Sequence, residues 1–185
     1  MNVFELIKSR RTIQSFTDEK VSDAIVEKSI EAAVWAPNHK LTYPWLFVNV
    51  SHATREKLAQ EQVELKAKKA GAPLSAVERQ AMLTKFLEPS HLVIAAIKSS
   101  SSPSQQEEDY ASLACAVQNM SLYLWSENVG TKWGTGGLMN SPVTYQILDL
   151  DPAVYKLCGL IWVGRARQVP PPRERPAVSQ VLINK

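Results

Sequence analysis

The sequence predicts one domain in which helices alternate with a few buried strands, and three observations carry that prediction. The chain is 185 residues long, with 45% apolar and 21% charged residues, enough for a single substantial core of ordinary globular composition. Short apolar, partly β-branched runs at 45–50, 91–99 and 156–164 are separated by segments whose apolar residues recur at helical spacing. Between the last two runs lies a long helical segment that is apolar on most sides, and such a helix must be covered all round.

In chain order, Val3, Phe4, Leu6 and Ile7 fall on one side of a helix over about 2–9. A second helix starts near Ser22, a suitable N-cap, runs through "DAIVEKSIEAAVW" and stops before Pro37. "WLFVNV" is a buried strand. Residues 52–70 are helical, polar and lysine-rich, ended by Gly71 and Pro73, and "SAVERQAMLTKFLEP" predicts another helix. "HLVIAAIKS" is the clearest strand, followed by the polar loop "SSSSPSQQ". The long helix spans about 104–129, with Gly130 expected as its C-cap and a glycine-rich loop, "TKWGTGGLMNSP", after it. "VTYQILD" is a short helix, "KLCGLIWVG" a buried strand, and the remainder an extended arm. There is no internal repeat and no second domain.

Several function classes fall away. No apolar run approaches the roughly 20 residues that span a bilayer, so no membrane partner is expected. The first residues lack an apolar h-region, which makes the cytoplasm the expected location. A net charge of +3 is too small to argue for nucleic acid. The three histidines and two cysteines show no metal-ligand spacing. Cys115 and Cys158 are expected as buried, reduced core residues, and the five tryptophans as core or pocket walls. No G-x-G-x-x-G follows a strand, and G-x-S-x-G, H-E-x-x-H and P-loop patterns are absent. No catalytic acid, base or nucleophile is nominated.

What the chain does offer is donors. "KSRRTIQSF" crowds Lys8, Arg10, Arg11, Thr12 and Gln14 at the end of the first helix. Cations there either complement the helix dipole or hold an anion. Residues 160–185 carry five cations (Arg165, Arg167, Arg173, Arg175, Lys185) against Glu174 alone, a surplus of four. In "PPPRERP", Arg173 and Arg175 stand two apart on a proline-stiffened chain, so in extended backbone they point the same way and form a fork for a phosphate. The alternative is a solvated, charged tail. Should the termini meet, the two basic clusters share one site. "WAPNHKLTYPW" carries Asn38 and His39 in a donor-rich loop suited to a polar heterocycle, although His39 alone also fits a structural role. In "KWGTGG", Gly134, Gly136 and Gly137 let backbone N–H groups approach a flat ligand beside Trp133, unless they merely make a turn. Phosphate donors, heterocycle donors and a glycine loop without acid–base machinery favour a bound cofactor that does the hard chemistry.

At these residues the chain resembles the FMN-dependent nitroreductase family in its short bacterial form. "SRRTIQSF" resembles the family's S-R-R-S-x-R-x-F, "APNHKLTYPWLF" its A-P-S-x-x-N-x-Q-P-W-x-F, and "KWGTGGLMNSP" its W-x-x-G loop. "LIWVGRARQVPPPRERPAVSQVLINK" is similar to the family ending. The resemblance implies an α+β fold, a mixed and largely antiparallel sheet flanked by helices, in a homodimer whose C-terminal arms are exchanged. It implies that Arg10, Arg173 and Arg175 hold the FMN phosphate with help from Arg11 and Thr12. Asn38 and His39 would reach the flavin from the partner subunit, and Trp133, Gly134, Thr135, Gly136 and Gly137 would place N–H groups near its N5 edge. NADH or NADPH would supply hydride for a small-molecule acceptor such as a nitroaromatic or quinone. Alternatives are a flavin reductase, another FMN-dependent metabolite oxidation, or a non-catalytic binder of a phosphorylated ligand. Four positions depart from the pattern, one being Asn38, which replaces the Ser after Ala-Pro. Gln14 stands where a second basic residue is expected, which would stabilise a reduced, anionic flavin less; Tyr43 replaces Gln, and Trp35 replaces an Arg found in some relatives.

Overall fold

Each strand expected from the sequence forms, and a fourth joins them. The computed structural model describes residues 2–185. Strands β1 (Trp45–Asn49), β2 (His91–Lys98), β3 (Gly130–Gly134) and β4 (Tyr155–Gly164) make one sheet in the order β1-β2-β4-β3. All three pairings are antiparallel, and the parallel element is a single bridge between Thr12 and Thr131. Helices α1 (Val3–Ser9), α2 (Asp23–Ala33), α3 (His52–Ala70), α4 (Ala76–Leu87), α5 (Pro103–Ser126) and α6 (Pro142–Leu148) flank it. This is the α+β arrangement expected.

The helix ends follow local chemistry. Asn2 caps α1 by accepting from Glu5 N–H at 2.9 Å, and Ser75 and Glu78 form a reciprocal capping box on α4. Gly71 ends α3 in the left-handed conformation at φ 71°. Ser22 does precede α2, but its hydroxyl makes no cap hydrogen bond.

The two central strands are buried on both faces. Along β2, Leu92, Ile94 and Ala96 enter one core with Leu58, Phe86 and Trp162 beneath α3 and α4. Val93, Ala95 and Ile97 enter the other, with Val26, Leu113, Val117 and Met120 of α2 and α5. Strict alternation sends the sheet's side chains into two separate cores.

Three expectations are corrected. Gly130 is not the cap of the long helix. That helix stops at Ser126, Asn128 turns the chain at φ 58°, and Gly130 opens β3. Gly130 is needed for a close approach, since a Cβ there would lie 2.4 Å from Ile13 Cγ1. Cys115 is exposed on α5, whereas Cys158 is buried in β4. Trp35 is 82% exposed instead of walling a core or pocket. Among the described residues no helix is long and apolar enough to cross a membrane.

Candidate functional site

Residues 12–17 cross the molecule as an extended thread, and that thread brings the two chain ends together. Ile13 N–H donates to Thr131 O of β3 at 2.9 Å on one side. On the other, Thr17 N–H donates to Arg165 O at 2.9 Å and Arg167 N–H to Ser15 O at 3.1 Å. Ile13 and Phe16 are buried, while Thr12 and Gln14, on the opposite side of the extended backbone from Ile13, face outward. Arg167 fastens the outgoing chain by donating from Nε to Phe16 O at 3.1 Å and by pairing with Glu88. The chain then runs straight into its prolines.

A cleft of about 650 Å³ opens between these ends. Arg10, Arg11, Thr12 and Gln14 line one side, and Pro170, Pro171, Pro172, Arg173 and Arg175 the other. The two basic clusters therefore share one site. Burial first, and then the neighbouring Arg11 and Arg175, press the Arg10 pKa below its usual value. None of Arg10, Arg173 and Arg175 takes part in an ion pair among the described residues. Arg11 differs from its neighbours: its Nη1 folds back to donate to Lys8 O at 2.7 Å and Arg10 O at 2.9 Å, so it serves the helix end.

The other two stretches do not enter this cleft within one chain. Asn38 accepts from Tyr43 N–H at 2.7 Å and donates to Ser112 Oγ at 3.2 Å, which ties residues 38–43 to α5. Thr42 Oγ1 donates to the buried Asp109 at 2.6 Å. These bonds hold Lys40, Leu41 and Tyr43 at φ 59°, 52° and 44°, strained for residues with side chains. The Asn38 amide is thus engaged in shaping the loop. His39 begins a single turn of 3₁₀-helix there.

Trp133 and Gly134 belong to β3 instead of a loop. Trp133 Nε1 donates to Cys158 O at 3.3 Å, and the indole lies so close over Gly159 that a Cβ there would meet it at 2.0 Å. Thr135 and Gly136 border a shallower hollow of about 440 Å³ with Tyr110 and Cys158. Burial raises the Cys158 pKa to about 11, so that thiol stays protonated at neutral pH. A Cβ at Gly136 would meet nothing within 4 Å, whereas one at Gly137 would lie 3.4 Å from Leu65 Cδ1.

A model of the nitroreductase family matches residues 7–165 of the chain. The chain belongs to the nitroreductase family. The family match contains Arg10, Thr12, Gln14, Asn38 and the 133–137 stretch, while Arg173 and Arg175 follow it. Among curated family relatives, a Bacillus subtilis protein named "Putative NAD(P)H nitroreductase YfhC" is 23% identical over 92% of this chain and 88% of its own length. The nitroreductase-like family protein of Bacillus cereus superposes with a TM-score of 0.84 at 23% identity, covering 100% of this chain and 96% of that one. A Desulfovibrio desulfuricans relative solved in complex with FMN gives a TM-score of 0.77 at 23% identity, covering 100% and 97%.

Two participants escaped the sequence reading. Lys132 donates to Gln14 Oε1 at 2.5 Å, and the triple proline forms a wall of the cleft as well as stiffening its fork. No local pattern marked Lys132, because the strand that carries it was read as part of a glycine-rich loop.

Proposed function

We propose that this family member is an FMN-dependent oxidoreductase that takes hydride from NADH or NADPH and passes it to a small acceptor such as a nitroaromatic or quinone. The observation that carries the reading is the cleft, where Arg10, Arg173 and Arg175 line one space and form no ion pair among the described residues. A dianionic phosphate fits that donor set, because guanidinium groups donate paired, charge-assisted hydrogen bonds to its oxygens. The FMN held by the Desulfovibrio relative makes FMN the ligand of choice.

Arg10, Arg173 and Arg175 would hold the phosphate, and Thr12 and Gln14 would extend the polar wall. Asn38 and His39 would serve the site of a second copy in a homodimer, as would an exchanged C-terminal arm. That assembly is supported by exposed apolar residues in the arm, Val178, Val181, Leu182 and Ile183. The 133–137 stretch would offer backbone N–H groups where the 3₁₀ turn after Gly136 leaves open space. When bound, FMN supplies the two-electron carrier that side chains lack. The protein orients it and sets the charge around it.

The test is an absorbance spectrum of purified protein before and after anaerobic NADH or NADPH. A flavin band that bleaches on addition and returns with a nitroaromatic or quinone is expected. A colourless protein whose melting temperature ignores added FMN would overturn the reading, and a yellow protein that stays oxidised would leave a binder, not an enzyme.

A further inference from the structure

Lys132 stands in β3 directly opposite Trp162 of β4. Its ammonium lies 5.8 Å from the centre of the Trp162 ring and donates to Gln14 Oε1 at 2.5 Å. Gln14 in turn lines the arginine cleft. Among the described residues no carboxylate pairs with Lys132. A second cation shares the indole: Lys85 of α4 lies 5.1 Å from the same ring. Burial first, and Lys132 next, hold the Lys85 pKa down. Glu88 borders the same hollow, but its ion pair is with Arg167, so two ammonium groups that form no ion pair among the described residues gain cation–π attraction but repel each other. Folding alone does not favour the arrangement, and Gln14 connects it to the cleft.

The hydrogen-bonding arithmetic of the amide gives it a direction. A carboxamide oxygen accepts through two lone pairs and its NH₂ group donates twice. Lys132 engages Oε1 and draws electron density toward it, and no hydrogen bond among the described residues uses the NH₂ group. Gln14 and Lys132 together therefore offer amide donors with a positive charge behind them, a match for an electron-rich edge of a heterocycle.

We propose that Lys132, acting through Gln14, is the residue that favours the reduced form of the bound flavin. The inference rests on the FMN reading above. Reduction transfers two electrons and one proton as hydride from the reduced nicotinamide, which leaves oxidised, so the bound ring gains one negative charge. Gln14 alone is neutral and does not answer that charge. Lys132 does, from the neighbouring strand. It touches no reacting atom and is a positioning residue: it fixes the amide and supplies the field behind it. A charge that binds the reduced state more tightly than the oxidised state raises the reduction potential by that difference.

The experiment is the two-electron midpoint potential of bound FMN, with the oxidised FMN dissociation constant, in wild type, Lys132→Met, Lys132→Arg, Gln14→Met and the Lys132→Met/Gln14→Met pair. Methionine keeps the apolar stem over Trp162, and Lys132→Gln repeats the comparison should the Met variant fail to fold. Lys132→Met should lose about tenfold in preference for reduced over oxidised flavin, a fall of about 30 mV, while oxidised FMN binds nearly as before. Lys132→Arg should keep the wild-type potential, and the effect of Lys132→Met should shrink in the Gln14→Met background. Equal potentials in Lys132→Met and wild type, an equal fall in Lys132→Arg, or an undiminished fall without Gln14 would each overturn the proposal. A wild-type chain that takes up no FMN would instead overturn the cofactor reading, and this inference with it.

Discussion

Arg10 and Arg11 are adjacent in sequence and have different jobs. Arg11 turns back onto the carbonyls of Lys8 and Arg10 and completes α1, whereas Arg10 is pressed toward Arg175 in the cleft. Sequence spacing supplied two possibilities for this turn, a helix-end complement and an anion cradle; Arg11 serves the first, and Arg10 is the residue proposed for the second. At this scale the expected outcome concerns the fork. Replacing both Arg173 and Arg175 with alanine removes two charge-assisted contacts of about 1.5–3 kcal/mol each, so FMN affinity should fall well over tenfold while the melting temperature of the FMN-free protein holds. Fluorescence titration of FMN checks the first part and a thermal melt the second. That Arg173 and Arg175 line one cleft was legible, because proline restricts the backbone and residues two apart in extended chain share a side. The Gln14–Lys132 contact was not, because its partners are 118 residues apart and nothing local links them.

Among the elements, β3 shows how a strand hides. Glycine stands at both ends, and Lys132 and Trp133 occupy positions where a buried strand would carry aliphatic residues. Intrinsic preference pointed to a loop, and pairing with β4 overrode it. Helices α2, α3 and α4 were legible because their periodicity and punctuation agree, from Ser22 and Ser75 at their starts to Gly71 at an end. The glycine that begins β3 offers the measurement. Gly130→Ala puts a methyl group 2.4 Å from Ile13 Cγ1 and 3.1 Å from Ile13 Cβ, so the side chain cannot simply swing away. Overpacking of this kind costs about 1–3 kcal/mol. Urea denaturation should show that loss, and hydrogen exchange should show the Ile13 amide, bonded to Thr131, released first.

For the molecule as a whole, the unanswered surface is apolar. Val178, Val181, Leu182 and Ile183 are all more than half exposed at the end of the arm, and α5 leaves Ala111, Cys115 and Gln118 uncovered along one stripe. The all-round apolarity of α5 in sequence anticipated a cover that one chain does not provide. Under the homodimer proposal, removing residues 177–185 should shift the protein toward monomer in analytical ultracentrifugation and lower its FMN content. A truncated chain that stays dimeric and yellow would show that the arm is dispensable. The thread at residues 12–17 has a last consequence, for the timing of biosynthesis. The long-range contacts behind the cleft join an early segment to much later ones, Thr12 to Thr131 and Ser15 to Arg167, and they bring Arg10 into the same space as Arg175. On the FMN reading, a growing polypeptide on the ribosome has no cleft to offer until β4 and the prolines at 170–172 have emerged, so capture of the prosthetic group should follow their synthesis.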